Sequence, residues 1–230
     1  MIAAIHQPNY LPWLGYFNKM AKSDVFVILD DVQFSVQSWQ QRNKIKYINE
    51  SWMWLSVPVI RNFGQNINDV RINDASNWRK KHWRTIQLSY KKARFFDRYE
   101  AEFSRIYDNS WEKLRELNVA LIRLIRDLLG IKTTLVLSSD MNIEARGTEK
   151  LISVIRELTA DKYITGEGGG FERYISEEEF KENSIELIYQ HFQHPVYHQL
   201  WGEFVPNLSV IDLLFNEGEK SLGILMGASS

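Results

Sequence analysis

Cysteine is absent from the 230 residues of this chain. Its absence excludes disulfides, thiol nucleophiles, and zinc or iron–sulfur centres held by cysteine. A formal net charge of −1 leaves no excess of either sign, which argues against a general nucleic-acid-binding protein. No apolar run approaches the roughly 18 residues of a membrane span, and no charged segment followed by an apolar one opens the chain. We therefore expect a cytoplasmic protein without membrane insertion, whose chemistry uses oxygen, nitrogen or a bound cofactor.

Aromatic residues are abundant: eight Trp, ten Tyr and twelve Phe make up 13% of the chain. Many stand beside hydrogen-bonding residues, as in the WQQRN stretch at 39–43. Rings interleaved with polar groups suit a pocket for a flat or ring-shaped ligand. The alternative is that they only pack the core.

The first 34 residues contain the clearest pattern. An apolar run at 2–5 ends at His6, and a second run at 25–29 ends at Asp30 and Asp31, with a segment of helical character between them. This pattern predicts a βαβ unit with parallel strands. His6, Asp30 and Asp31 should then share the carboxyl edge of the sheet, where open α/β folds bind ligands.

The remainder of the chain predicts an α/β fold with a mostly parallel sheet flanked by helices and an inserted helical block. Residues 35–48 are polar and basic and are expected to form a loop or lid, whereas 52–59 reads as a strand. An amphipathic stripe from Trp111 to Leu128, ended by Gly130, is the strongest helical signal. Further strands are predicted at 134–137, 162–164 and 185–189. We predict three parts: an N-terminal α/β part at 1–75, a helical insertion or subdomain at 76–130, and a C-terminal α/β part at 131–230.

The residues at the strand ends are the predicted catalytic groups. His6 suits a general acid or base, or a donor to phosphate or carboxylate, because the imidazole pKa lies near neutrality; a structural histidine is the alternative. Asp30 and Asp31 suit magnesium coordination or capture of a substrate amine, and the alternative is a solvated turn. Since consecutive strand residues point to opposite faces, only one carboxylate need face the site.

Other polar residues are predicted to contact substrate. Arg42 suits a carboxylate or phosphate, because its guanidinium can form paired hydrogen bonds. The remaining substrate-binding candidates are Gln7, Asn9, Gln33, Trp39, Asn43, His194 and Tyr197.

A glycine-rich stretch follows the predicted strand at 162–164. Its glycines allow backbone N–H groups to approach a phosphate, and Thr165 offers a side-chain donor. The spacing is neither a Walker motif nor a Rossmann fingerprint, and a flexible turn is the alternative. The predicted nucleotide-binding residues here are Thr165, Gly166, Gly168 and Gly169.

Two further clusters suggest sites that we do not favour. Three nearby histidines are typical of a zinc site: His191, His194 and His198. Pro195 interrupts any helix that would align them, so no metal site is predicted. The basic and aromatic stretch at 78–84 is better explained as one solvated and one packed helix side than as a nucleic-acid contact.

Long motifs carry a family resemblance that spans nearly the whole chain. HQPNYLPWLGYF at 6–17, SDVFVILDDVQF at 23–34 and WQQRN at 39–43 resemble the WbqC-like family, as do TGEGG at 165–169 and HPVY at 194–197. Further matching positions are Tyr174, Gly202, Phe204, 206–209 and 212–216. The resemblance implies a bacterial protein of surface-polysaccharide (O-antigen) biosynthesis that modifies amino sugars, including attachment of glycine to a sugar amine.

The opening unit also resembles, more remotely, the start of HIGH-motif nucleotidyltransferases, and its length and Val-Gln-Phe ending are similar to pantothenate synthetase. That resemblance implies activation of a carboxylate through an acyl adenylate. Gly15 takes the place of the motif's glycine and is a further nucleotide-binding candidate. Trp13 and Tyr16 stand where the two histidines of the motif are expected.

These observations lead to a predicted enzyme that forms an amide between a small acid such as glycine and an amino sugar nucleotide, with ATP and Mg²⁺ for activation. A small-molecule substrate is the expected partner, and the residues do not indicate an oligomeric state. The alternatives are an acyltransferase that uses a carrier thioester, and a non-catalytic sugar-nucleotide-binding protein.

Overall fold

The structure, a computed structural model, describes residues 1–48, 51–166 and 176–227. The strands are β1 (Ile2–His6), β2 (Val25–Ile28), β3 (Arg42–Lys46), β4 (Trp52–Ser56), β5 (Val59–Ile60), β6 (Arg71–Ile72), β7 (Thr134–Leu137), β8 (Lys162–Gly166) and β9 (Glu186–Gln190). The helices are α1 (Leu14–Ala21), α2 (Trp78–Tyr90), α3 (Phe96–Asp108), α4 (Leu114–Leu129), α5 (Gly147–Glu157), α6 (Glu177–Glu182), α7 (Ile211–Glu217) and α8 (Ser221–Leu225).

Within these ranges, five strands form one parallel sheet in the order β7-β2-β1-β8-β9. The prediction of an α/β fold with a parallel sheet flanked by helices is confirmed. The chain moves outward from β1 to β2 and β7, then returns across the sheet to β8 and β9. The order of the strands therefore reverses between β1 and β8, and such a switch point is where open α/β sheets bind ligands.

The sheet has an apolar layer on each face. Ala4, Phe26 and Ile28 pack in one cluster with α1, α4 and α7, whereas the neighbouring residues Ala3 and Ile5 pack in a second cluster with α5 and α6. Period-two alternation along β1 and β2 produces this division. β1 and β2 are thus buried on both sides, and their polar residues lie at the strand ends.

The connection between β2 and β7 contains two β-hairpins and helices α2 to α4. The loop or lid predicted at 35–48 is wrong in part, because 42–46 form β3 in an antiparallel pair with β4. The helices between 78 and 129 match the predicted helical block, and Gly130 ends α4 with a φ of +75°. The three-part division of the chain stays a prediction. Buried residues of α2 to α4 belong to the same cluster as those of α1, β2 and α7.

Among the residues that the structure describes, no helix is both long and apolar enough to cross a lipid bilayer.

Candidate functional site

The sheet opens at its carboxyl edge between β1 and β8. Pairing of β1 with β2 extends to His6 beside Ile28, and pairing of β8 with β9 extends to Gly166 beside Gln190. Pairing between β1 and β8 ends earlier, at Ala4 beside Ile164, although residues 5–6 and 165–166 all belong to the described chain. We call this opening, bounded by residues 5–6 and 165–166, the crevice. It lies at the switch point.

His6 lies at the crevice on the last position of β1 and is half-buried. Its Nδ1 lies 3.1 Å from the carbonyl oxygen of Gln7, and its ring lies 4.7 Å from that of Tyr16. Burial lowers the pKa of His6 to about 3, the charge of Lys19 lowers it too, and the bond to Gln7 opposes both. The imidazole is therefore neutral at pH 7. Because a carbonyl only accepts, Nδ1 carries the proton and Nε2 is the acceptor nitrogen.

Lys19 is a residue of the crevice that sequence reasoning missed. Its side chain is buried, and Nζ donates a 3.1 Å hydrogen bond to the carbonyl of Ile5. Side chains of a helix tilt toward its N-terminus, so this lysine in α1 reaches toward the carboxyl edge of the sheet. Burial lowers the pKa of Lys19 to about 7. The sequence indicates Lys19 only through its spacing, because it follows Tyr16 by three residues and so lies on the same side of α1.

Asp30 is enclosed at the end of β2. The side chain is 0% exposed, and its carboxylate accepts from Arg115 Nη1 at 3.1 Å and from the backbone N–H and hydroxyl of Ser139 at 3.0 and 2.9 Å. The Ser138 hydroxyl lies 3.2 Å from Oδ1. In this arrangement Asp30 joins β2 to α4 and to the turn after β7. Its predicted catalytic role stays a prediction.

Asp31 points to the opposite face, toward α5. Its Oδ2 accepts a 2.6 Å hydrogen bond from Lys150 Nζ, and its Oδ1 lies 2.5 Å from the Ser138 hydroxyl. The Asp31 side chain is 18% exposed. Of the two carboxylates, Asp31 is therefore the one that a ligand can reach.

Gln7 connects the crevice to the segment before β3. Its Oε1 accepts a 2.7 Å hydrogen bond from Gln40 Nε2. The neighbouring Trp39 is 44% exposed, and its carbonyl accepts from the N–H of Tyr10 at 2.9 Å. Asn9 is buried in the same loop. The loop that carries Gln7 and Asn9 is thus joined to the segment that carries Trp39, whose ring lies 5.5 Å from that of Trp54.

Arg42 and Asn43 begin β3. The Arg42 guanidinium lies 4.3 Å from the centre of the Trp54 ring, so a cation–π contact holds it against β4. Asn43 is buried, and its Nδ2 donates a 2.6 Å hydrogen bond to the carbonyl of Leu11, whose φ is +44°. Asn43 therefore supports a strained loop conformation. Gln33 is exposed and forms an isolated bridge with Asn66.

The predicted nucleotide-binding residues fall on three elements. Gly15 lies in the first turn of α1, where a Cβ would come within 2.4 Å of the Trp13 indole, so only glycine fits there without a shift. Thr165 is buried near the end of β8, and Gly166 ends that strand across the crevice from His6. Gly168 and Gly169 lie outside the described residues.

His194 and Tyr197 pack in the segment that precedes α7. The N–H of Asn207 donates to His194 Nε2 at 3.1 Å, and His194 Nδ1 lies 2.8 Å from the Pro195 carbonyl. Tyr197 is buried and donates to Asp212 at 2.9 Å. Burial raises the pKa of Asp212 to about 6. These contacts attach the segment to α7; contact of either residue with substrate stays a prediction.

No group of three or more His, Asp or Glu side chains lies close enough to hold a metal ion within residues 1–48, 51–166 and 176–227. The acidic pair at 30 and 31 is engaged by Arg115 and Lys150 instead.

Comparison with known proteins identifies two similarities. The family model for the WbqC-like protein family matches residues 7–224 of the chain. A relative from Mycobacterium tuberculosis (strain H37Rv), the uncharacterized protein Rv1507c, is 36% identical over 222 residues, which cover 95% of this chain and 94% of the relative. No solved structure gives a significant match.

Proposed function

The chain belongs to the WbqC-like protein family, and on that premise we propose that it is an enzyme of surface-polysaccharide (O-antigen) precursor biosynthesis. In this proposal it forms an amide between glycine or a similar small acid and the amine of a nucleotide-linked amino sugar, with ATP and Mg²⁺. The nucleotide sugar is made in the cytoplasm, where we expect the enzyme to act.

One observation supports the proposal most. Pairing between β1 and β8 ends before pairing between β8 and β9, and this opens the sheet at its switch point. Nucleotide-binding α/β folds use the crevice at this position, beyond the carboxyl ends of the strands. His6 lies on one wall and Gly166 on the other, while Gln7 connects the crevice to the exposed Trp39 through Gln40. A neutral imidazole, an amide and an indole suit a ligand with both charged and ring-shaped parts.

Amide formation needs activation, because an amine does not displace oxide from a carboxylate. A carboxylate oxygen attacks a phosphorus atom of ATP, and either pyrophosphate or ADP leaves. The deprotonated amine then attacks the carbonyl carbon of the mixed anhydride, and AMP or phosphate leaves with the bonding electron pair. The proton that the amine loses needs an acceptor, and we assign it to His6 Nε2, since Nδ1 already carries a proton.

The remaining predicted residues receive roles by position. Asp31 is assigned to the ammonium form of the substrate or to water around Mg²⁺, because it is the accessible carboxylate. Arg42, Thr165 and Gly166 are assigned to phosphate groups. Trp39 is assigned to the sugar or base ring.

The test is a product assay. The purified protein is incubated with ATP, Mg²⁺, glycine and a dTDP-linked amino sugar, and the nucleotides and sugar are analysed by mass spectrometry. We expect AMP or ADP and a sugar that carries a glycyl group, with both lost in His6→Asn. Replacement of ATP and glycine by glycyl-CoA tests the thioester alternative in the same assay. Product from glycyl-CoA alone, or no product from any combination, would contradict the proposal.

A further inference from the structure

The outward face of the β3–β4 pair combines tryptophan rings with cations. Lys44 lies opposite Trp54 in the antiparallel register, and residues opposite each other share one face of the pair. Arg42 and Trp52 stand two residues away along their strands, so they share that face as well. Ile45, at an alternate position of β3, is buried in the core, which identifies the other face as the inner one. We call Arg42, Lys44, Trp52 and Trp54, together with the adjoining Trp39, the tryptophan face.

The two cations of this face converge on one indole. The Arg42 guanidinium lies 4.3 Å from the centre of the Trp54 ring, and Lys44 Nζ lies 5.2 Å from the same centre and 4.1 Å from that of Trp52. The Trp39 ring is 44% exposed and lies 5.5 Å from that of Trp54, at an angle of 46°. An accessible ring therefore stands beside a pair of cations.

Neither cation has a carboxylate partner among residues 1–48, 51–166 and 176–227, because no ion pair there includes Arg42 or Lys44. Lys46, the third cation on this side of β3, is instead buried and donates to Gln199 and to the carbonyl of Glu203. A cation–π contact uses the charge of a side chain but leaves its N–H groups able to donate. Arg42 and Lys44, which are half-buried, can therefore donate to an anion.

A flat ring that carries adjacent negative charges matches this arrangement. The exposed indole of Trp39 suits stacking of a base, and a guanidinium beside an ammonium suits a diphosphate. Proteins that bind nucleic acid single strands align cations and rings along an extended groove. The tryptophan face has two cations in a chain of net charge −1, so a single nucleotide fits it better than a strand does.

We propose that the tryptophan face is a binding site for a nucleoside diphosphate, in which the base stacks on Trp39 and the diphosphate binds Arg42 and Lys44. The inference rests on the nucleotide-linked substrate of the proposed function but not on its reaction. It adds Lys44 and Trp54 to the binding residues, and it assigns the nucleotide of the sugar to the β3–β4 pair rather than to the crevice.

The test compares Lys44→Met with Lys92→Met. Lys92 is the matched control, because it is exposed and its Nζ lies 5.3 Å from the centre of the Trp201 ring, outside the tryptophan face. Binding of dTDP, UDP and GDP, titrated separately, is measured by isothermal titration calorimetry. We expect the wild type and Lys92→Met to bind at least one of them, and Lys44→Met to bind it about tenfold or more weakly.

Three results would overturn the inference. The first is a folded Lys44→Met that binds as the wild type does, since a lower melting temperature with unchanged affinity indicates a purely structural contact. The second is a wild type that binds none of the three diphosphates at millimolar concentration. The third is binding that is lost in His6→Asn but kept in Lys44→Met, because the diphosphate would then lie in the crevice.

A short oligothymidylate distinguishes a nucleotide from a nucleic acid strand in the same titration. We expect it to bind no more tightly than dTDP. Much tighter binding that depends on Lys44 would make nucleic acid the occupant and would overturn the inference.

A second measurement needs no lysine variant and so covers the case in which Lys44→Met does not fold. The indole N–H signals of Trp39 and Trp54, assigned by comparison with Trp39→Phe and Trp54→Phe, are followed by NMR as the diphosphate is added. We expect both signals to shift, and two unchanged signals would overturn the inference. Binding that depends on Lys44 without any amide product would refute the proposed reaction and leave this site standing.

Discussion

The ends of β1 and β2 are neighbours in the sheet, yet basic side chains lie at the end of β1 and acidic side chains at the end of β2. At the end of β2, Asp30 binds Arg115 and two serines, and Asp31 binds Lys150, so each carboxylate has a cation. At the end of β1, two bases, His6 and Lys19, lie close enough for the charge of one to depress the pKa of the other.

The electrostatics of the two strand ends therefore have different causes, which are ion pairing at β2 and burial at β1. The paired carboxylates connect β2 to α4, to α5 and to the turn after β7, which is what a satisfied ionic cluster does for a fold. At the end of β1, burial lowers the pKa of His6 and of Lys19, and the charge of Lys19 lowers that of His6 further. Asp30 and Asp31 are thus candidates for stability, and the catalytic roles predicted for them stay predictions.

The largest expected effect concerns the pH dependence of stability at the end of β1. The pKa of Lys19 is about 7 when folded and near 10.5 when unfolded, so between these values the unfolded chain binds more protons. The free energy of unfolding of the wild type should therefore rise with pH across this window, relative to Lys19→Met, by on the order of a few kcal/mol. Urea unfolding of both proteins from pH 6 to pH 10 measures this difference, in which other groups cancel. Parallel curves would show that Lys19 is not desolvated.

The next effect belongs to the end of β2. Asp30→Asn should lower the free energy of unfolding by about 3 kcal/mol, because it leaves Arg115 without its carboxylate and disturbs two serine contacts. Urea unfolding at pH 7 measures the loss. Asp140→Asn, at an exposed position in the adjacent turn, is the matched control and should change stability by less than about 0.5 kcal/mol. If Asp30→Asn and Asp140→Asn changed the free energy of unfolding equally, the contrast between the ends of β1 and β2 would be lost.

A smaller loss is expected at the second acidic pair. Lys150→Met should lower the free energy of unfolding by about 1.5 kcal/mol, because it removes a charged hydrogen bond from Asp31, which retains some access to water. Thermal unfolding at pH 7 provides the measurement. A more stable variant would mean that this pair is retained for a purpose other than stability.

The smallest effect on stability is expected at Trp39, which precedes the Gln40 that binds Gln7. Trp39→Ala should lower the free energy of unfolding by only about 1 kcal/mol, since the ring is 44% exposed and contacts Trp54, but should weaken binding of a dTDP-sugar. Unfolding and calorimetric titration of the same variant test both statements. A large loss of stability with unchanged affinity would show that Trp39 is a packing residue.

Much of the fold was predictable because its signals are local. The runs at 2–5, 25–29 and 134–137 are strands, and Gly130 has the positive φ of a helix C-terminus. Ser176 accepts from the N–H of Glu179 at 3.3 Å and so caps α6 through a contact only three residues long. The strand β3 was missed because its alternate positions carry Arg42 and Lys44, whose charges are held over tryptophan rings of β4.

The arrangement of the site was less predictable because it depends on distant partners. Asp30 meets Arg115 and Asp31 meets Lys150 across 85 and 119 residues of sequence. No local sequence pattern indicates that these two carboxylates form ion pairs with Arg115 and Lys150. Lys19 was overlooked because a lysine in a helix is ordinarily solvated, whereas here α1 is buried on nearly every side.

A crystal structure of the protein soaked with ATP, Mg²⁺ and glycine tests the crevice most directly. We expect electron density in the crevice between the ends of β1 and β8, with a ligand atom beside His6. A nucleotide bound elsewhere, with the crevice empty, would contradict the proposed function.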